Sequence, residues 1–150
     1  MAMISDEDQK FLREHFEKAL TNHVTLAFFT QHESKLSIPA QTCMYCKETA
    51  DLVEEVASLS DRIKVEKYDL LGDAEKATEY GVDKIPATVI VGPQSYGMKF
   101  YGIPSGYEFS TFIEDIISAS TGESGLSDKT KQDLQKITED THIQVFVTPT

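Results

Sequence analysis

A chain of 150 residues with 40% hydrophobic content has enough apolar surface for one complete core of ordinary single-domain size, with a remainder that must dock or dangle. Its formal net charge of -11 repels polyanions over most of the surface, which argues against nucleic acid and anionic membranes as partners. No stretch reaches the roughly 20 apolar residues that cross a bilayer, and the start Met1-Ala-Met-Ile-Ser-Asp-Glu-Asp8 has neither a basic leader nor an apolar signal core, so a soluble, cytosolic protein is expected.

Ser5 followed by Asp6, Glu7 and Asp8 offers a helix cap with acids at the positive dipole end, and Phe11, Leu12, Phe16, Ala19 and Leu20 recur at helical spacing. The spacing predicts a helix from about Ser5 to Thr21, with Asn22 suited to a left-handed stop. Val24 to Thr30 is a short apolar run of strand formers, as a strand covered on both faces requires. From Gln31 to Thr42 the pattern breaks into an irregular loop that delivers the chain to Cys43-Met44-Tyr45-Cys46. From Tyr45 to about Leu59, Ala50, Val53, Val56 and Ala57 alternate with Glu48, Asp51, Glu54 and Glu55 at helical spacing, which sets the cysteines at a helix N-terminus.

Ile63 to Tyr68 reads as a second strand, Asp73 to Tyr80 as a short helix closed by Gly81, and Ala87 to Val91 as a buried third strand. Gly92-Pro-Gln-Ser95 turns the chain into a hairpin strand from Tyr96 to Tyr101, and a final amphipathic helix aligns Phe109, Phe112, Ile113, Ile116 and Ile117. The order is βαβ, then ββα. Thr121-Gly-Glu-Ser-Gly125 has the composition of a linker. Beyond it, a helix from Ser127 to about Asp140 and a strand over Ile143 to Thr148 echo the first helix and strand, which reads as an internal repeat that stops short.

Only two cysteines are present, too few for a multi-bridge secreted scaffold, so their spacing means redox chemistry or metal. Disulfide exchange requires a thiolate, and a free thiol with a pKa of about 8.5 supplies little of it at neutral pH. A helix N-terminus lowers that value through its unpaired N–H groups and dipole, which makes Cys43 the candidate nucleophile. Cys46, about one turn inward and less accessible, is the candidate resolving thiol. No organic cofactor is needed for this chemistry. The alternative is a non-catalytic module holding zinc or a shared cluster through the same pair. That site needs two more ligands, and of His15, His23, His32 and His142 only His32 lies in the loop leading to the cysteines. Ile85-Pro86 stands directly before the buried third strand, where a cis proline could turn the backbone tightly and an ordinary trans proline at strand entry is the plainer reading.

The Cys-x-x-Cys after the first strand, followed by Gly81-Val-Asp-Lys-Ile85-Pro86-Ala-Thr88 before a hairpin and helix, resembles the thioredoxin fold. More closely, Cys43-Met-Tyr-Cys46, Tyr101-Gly-Ile-Pro-Ser-Gly-Tyr-Glu-Phe109 and Ile143-Gln-Val-Phe-Val-Thr-Pro-Thr150 resemble the glutaredoxin-like protein disulfide oxidoreductases of archaea and thermophilic bacteria. The likeness covers nearly the whole chain. That family joins two thioredoxin-fold units, each with its own cysteine pair, and the match here ends before a second pair.

The resemblance implies a cis peptide at Ile85-Pro86 packed against Cys43, with the Ile85 backbone pairing with a substrate strand. It makes Met44, Tyr45, Ile85 and Pro86 the substrate-binding candidates. Lys47 and Lys84 stand near the two motifs as candidate thiolate stabilisers, although such lysines in an acidic protein are commonly solvated counter-charges. The strand Val24 to Thr30 holds no acid to match the buried proton acceptor of some thioredoxins. The loop from Gln31 to Thr42 is longer than the family's usual link. The N-terminal module of alkyl hydroperoxide reductase flavoproteins is related, but there the working pair belongs to the second unit.

The expectation is an α/β thioredoxin fold over 1–120, a linker over 121–126, and the truncated start of a second unit over 127–150. Its activity would be thiol–disulfide exchange on protein disulfides, with the redox direction open and a flavoprotein of the thioredoxin-reductase type as the implied electron donor. Residues 127–150 could dock on their own unit, swap with a neighbour or stay mobile; self-association is the partnership they suggest.

Overall fold

The computed structural model describes residues 3–31 and 43–147. The elements run α1 (Asp6–Ala19), β1 (Val24–Thr30), α2 (Cys46–Ala57), β2 (Ile63–Asp69), α3 (Ala74–Tyr80), β3 (Ala87–Val91), β4 (Met98–Tyr101), α4 (Tyr107–Thr121) and α5 (Asp128–Leu134). The strands form one sheet in the order β2-β1-β3-β4. β1 is parallel to β2 and antiparallel to β3, and β3 is antiparallel to β4, which is the expected βαβ–ββα arrangement.

β1 is central and sealed on both sides: Leu26, Ala27, Phe28 and Phe29 have no exposed surface. Alternation sends Leu26 and Phe28 to the face covered by Phe16 of α1, Val53 and Val56 of α2, and Phe112 and Ile116 of α4. Ala27 and Phe29 face the other way, against Ala77 of α3, Val82 and Val89. On that side the Phe29 ring stacks on Tyr68 at 5.2 Å and meets Tyr80 edge-on at 5.9 Å. The Tyr68 phenol donates to Glu66 Oε2 at 2.7 Å, and this bond to a carboxylate pushes its pKa up to about 12.

Ser5 caps α1 as its sequence predicts, its Oγ accepting from the Asp8 N–H at 3.1 Å. The end of the helix differs from expectation. Asn22 does not adopt the left-handed conformation, since every positive φ among the described residues belongs to glycine. Fully buried Ser120, in the last turn of α4, takes over that role. Its Oγ accepts from the N–H groups of Thr21 (3.0 Å) and Asn22 (2.9 Å) and donates to the Asn22 carbonyl (2.7 Å). The turn into β1 is thus held by a helix about a hundred residues away in sequence, which no local pattern announces. α3 does end as expected, at left-handed Gly81 with φ 62°.

The other departure is at the C-terminal end. α5 stops at Leu134, well before Asp140, and no strand forms over residues 143–147. Ser127 caps α5 and Lys131 reaches Glu123 at 2.8 Å, but no residue of the helix is buried. Ile143, Val145, Phe146 and Val147 are each at least 79% exposed. A strand exists only with a partner to receive its N–H and C=O groups, and none of the four strands pairs with this run. The expected strand's last residue, Thr148, lies outside the described residues, as do positions 32–42 of the expected loop.

Two substitutions test how the end of α4 holds the body together. Ser120→Ala strips the partners from the Thr21–Asn22 turn and is expected to cost about 1–3 kcal/mol. Gly92→Ala would bring a Cβ within 1.9 Å of the Ala119 carbonyl oxygen, forcing α4 away from β3 at an expected cost of about 1–3 kcal/mol. Urea unfolding should show lower midpoints with unchanged slopes; wild-type midpoints would contradict this account.

The alkaline titration of the phenols provides a second check. Of the six tyrosines, Tyr68 is expected to ionise late, and Tyr68→Phe should remove the absorbance step near 12. Because folding raises this pKa, its contribution to stability is complete below the unfolded phenol's value of about 10 and is lost as pH rises through about 12.

Candidate active site

The site lies where two central strands end. β1 leaves the sheet at Thr30, and its neighbour β3 enters at Ala87, which stands opposite Phe29. The chain after β1 leads to Cys43, and the chain before β3 is Ile85-Pro86, so register alone brings the cysteine pair and the proline to one end of the sheet. The Ile85–Pro86 peptide is cis. Pro86 is buried and Ile85 half-buried, and the Pro86 carbonyl accepts from the Gly102 N–H at 2.9 Å.

Cys43 and Cys46 form a disulfide with a Cα–Cα separation of 5.5 Å. Cys46 is the first residue of α2 and is 6% exposed, whereas Cys43, outside the helix, is half-buried. The accessible sulfur therefore belongs to Cys43, at a helix end whose first-turn N–H groups have no intrahelical acceptors. No side chain caps α2: its N-cap is Tyr45, whose carbonyl accepts from the Thr49 N–H (3.0 Å) and hydroxyl (2.6 Å). With that end uncapped, the positive end of the dipole is left to the sulfur.

The other predicted residues fall as follows. Met44 and Tyr45 are exposed, at 74% and 55%, and present an apolar surface between the cysteines. Lys47 is exposed on the first turn of α2. Lys84 is also exposed, but its ammonium is engaged elsewhere, 3.3 Å from Asp83 Oδ2 and 5.8 Å from the centre of the Tyr101 ring. The hydrogen bond to Lys84 holds the Asp83 carboxyl below the usual carboxylate range. Among the described residues no group of three His, Cys, Asp or Glu side chains is assembled that could hold a metal. His15 stacks on Phe11 and lies 3.8 Å from Glu114, while His32 is outside the described residues. Among the described residues no helix is long and apolar enough to cross a membrane.

Two features were not legible in the sequence, one at this site and one in the sheet beside it. Gln31, directly after β1, accepts the Cys43 N–H on its side-chain oxygen at 2.8 Å, across twelve positions of sequence. In sequence it is only the first polar residue of a loop. Thr88, two residues past the cis proline, has a buried hydroxyl without a hydrogen-bond partner, between Phe28 and Phe100 on the neighbouring strands. A buried threonine in a strand resembles any other β-branched core residue, so nothing local reveals the orphaned oxygen.

The comparisons with known proteins agree with this geometry. The thioredoxin domain family matches residues 35–114. A probable thioredoxin of Methanothermobacter thermautotrophicus is 40% identical over 75 residues, which is 49% of this chain and 84% of that protein. A protein disulfide oxidoreductase from Aeropyrum pernix superposes with a TM-score of 0.72 at 25% identity, over 91% of this chain and 56% of that structure. The F subunit of alkylhydroperoxide reductase from Enterococcus faecalis superposes with a TM-score of 0.74 at 23% identity, over 90% of this chain and 61% of that one. The chain thus spans little more than half the length of these two structures. With the matched span holding both the cysteine pair and the cis-proline strand, the chain has the thioredoxin fold and belongs to the thioredoxin domain family.

Proposed function

We propose that this redox protein is a dithiol oxidoreductase that acts on protein disulfides through the Cys43/Cys46 couple. The observation that carries the reading is the asymmetry of the pair: an accessible Cys43 ahead of α2, joined to a buried Cys46 in its first turn. The likeness to a protein disulfide oxidoreductase supports the class of substrate.

In the reducing direction the Cys43 thiolate attacks one sulfur of the substrate disulfide, that S–S bond breaks, and the departing thiolate takes a proton. A mixed disulfide joins Cys43 to the substrate. Cys46 then loses its proton, its thiolate attacks Cys43 Sγ, and the second substrate thiol leaves. Two electrons have passed to the substrate, and the Cys43–Cys46 bond has formed. The oxidising direction runs the same steps backward, and the midpoint potential against that of the compartment decides between them. Met44, Tyr45 and Ile85-Pro86 are the surface that receives the substrate segment, with the Ile85 backbone as the strand edge it pairs with. Lys47 is the freer of the two lysines to act on the thiolate, because the Lys84 ammonium is occupied by Asp83 and Tyr101.

The electron donor in this reading is a flavoprotein of the thioredoxin-reductase type, as the family resemblance implies. Residues 127–150 are read as the opening of a second unit after the unit 1–120 and the linker 121–126, and their exposed apolar run supports a further sheet or a second copy as its cover.

The cysteine roles have separable signatures. Cys43→Ser should abolish disulfide reduction, whereas Cys46→Ser should retain attack and accumulate mixed disulfides visible as mass adducts on Cys43. Equal loss in both variants with no adduct would refute the assignment. Counting alkylated thiols across a redox titration should show both labels vanishing in one two-electron step; independent titration of the two sulfurs would remove the couple altogether.

A further inference from the structure

Resting on that reading of the Cys43/Cys46 couple, we propose that Gln31 is a positioning residue of the redox site: its neutral carboxamide tethers the nucleophile's backbone to the end of β1. The tether is well anchored. Gln31 follows Thr30, which pairs with Asp69 of β2 and whose carbonyl accepts the Leu70 N–H at 3.0 Å. One position further back lies fully buried Phe29. The side chain of Gln31 thus extends from the end of the buried central strand and accepts the Cys43 N–H at 2.8 Å. The two residues stand twelve positions apart in sequence, and this hydrogen bond joins them directly at the nucleophile.

The type of acceptor matters as much as its reach. Cys43 precedes α2, so its backbone N–H has no helical acceptor, and its sulfur benefits from the helix end only while it stays there. An acceptor on the Cys43 N–H provides that hold. From covalent geometry the sulfur lies three bonds from this nitrogen, so Gln31 Oε1 is within ~7 Å of it. A carboxylate could accept the same N–H, and more strongly. At that distance, however, its charge would oppose the thiolate. Glutamine is the residue that spans the gap and accepts the proton without adding a charge. Asparagine is one methylene shorter, and serine or threonine shorter still.

The test compares the full wild-type chain with Gln31→Glu and Gln31→Ala, using three readouts: the pH profile of Cys43 alkylation, the midpoint potential, and the melting temperature of the oxidised form. In Gln31→Glu the acceptor is kept, so melting should match wild type, while the alkylation midpoint rises by about one pH unit. Because thiolate stabilisation favours the reduced form, the potential should fall, by about 30 mV for a tenfold change in the equilibrium constant. In Gln31→Ala the hold is lost and both readouts should move in the same direction by less, with several-fold slower attack on a disulfide substrate. If both variants keep the wild-type pH profile and potential, the proposal is overturned, even if Gln31→Ala melts earlier, because Gln31 is then only a structural strut. If Gln31→Ala fails to fold, Gln31→Glu carries the test alone. If wild type itself shows no two-electron couple, the proposed function falls and the role of Gln31 falls with it; a wild-type couple that is insensitive to position 31 overturns this inference only.

Discussion

The structure depends on the burial of one strand. Leu26, Ala27, Phe28 and Phe29 of β1 are each without exposed surface, so this strand needs a partner on either edge and a cover on either face. β2 and β3 supply the edges, α1, α2 and α4 cover one face, and α3 covers the other. A strand sealed this way cannot slip by a residue without exchanging its two apolar faces, and so the point where it leaves the sheet is fixed. The candidate site lies at that point. Gln31, Cys43 and the cis Ile85–Pro86 peptide all derive their positions from the register of β1 with β3.

The difference in exposure between the two sulfurs, on which the proposed division of labour rests, follows from helix geometry. A residue just ahead of a helix is accessible and feels the positive dipole end, whereas one in the first turn on the packed face is shielded. Cys43 and Cys46 occupy these two situations, and the buried side of α2 continues from Cys46 through Thr49, Leu52, Val53 and Val56. The same helix thus supports the core and holds the disulfide at its N-terminal end. Thr88 is the one described buried side-chain oxygen left without a partner, and it lies close to the cis proline in sequence. Burying an unpaired hydroxyl costs of order 1–3 kcal/mol, in contrast to buried Ser120, which uses its hydroxyl fully.

The C-terminal segment shows what the same kind of sequence does without tertiary support. Residues 143–147 carry the apolar pattern that makes β1 a central strand, yet here they are exposed and unpaired. α5 forms over one short stretch because a serine cap and a nearby ion pair act locally, and it ends where burial would have had to continue it. Intrinsic preference is the same in the two places; the partner strand is what differs.

Much of the site was therefore legible from residue order. The spacing of Cys43 and Cys46 ahead of an amphipathic run, the two-sided apolarity of Val24 to Thr30, and Pro86 before a buried strand are local signals, because helix and strand periods and cap chemistry act over a few residues. These determined the α/β class, the order of elements through α4 and the place of the disulfide-forming pair. Tertiary structure alone decided the rest. It substituted Ser120 for a local stop at Asn22, brought the Tyr101 ring under the Lys84 ammonium, left Thr88 unpaired, and laid Gln31 against the Cys43 N–H. Each of these depends on which distant segment arrives beside a polar group, and a polar side chain in sequence carries no mark of the donor or acceptor that will meet it.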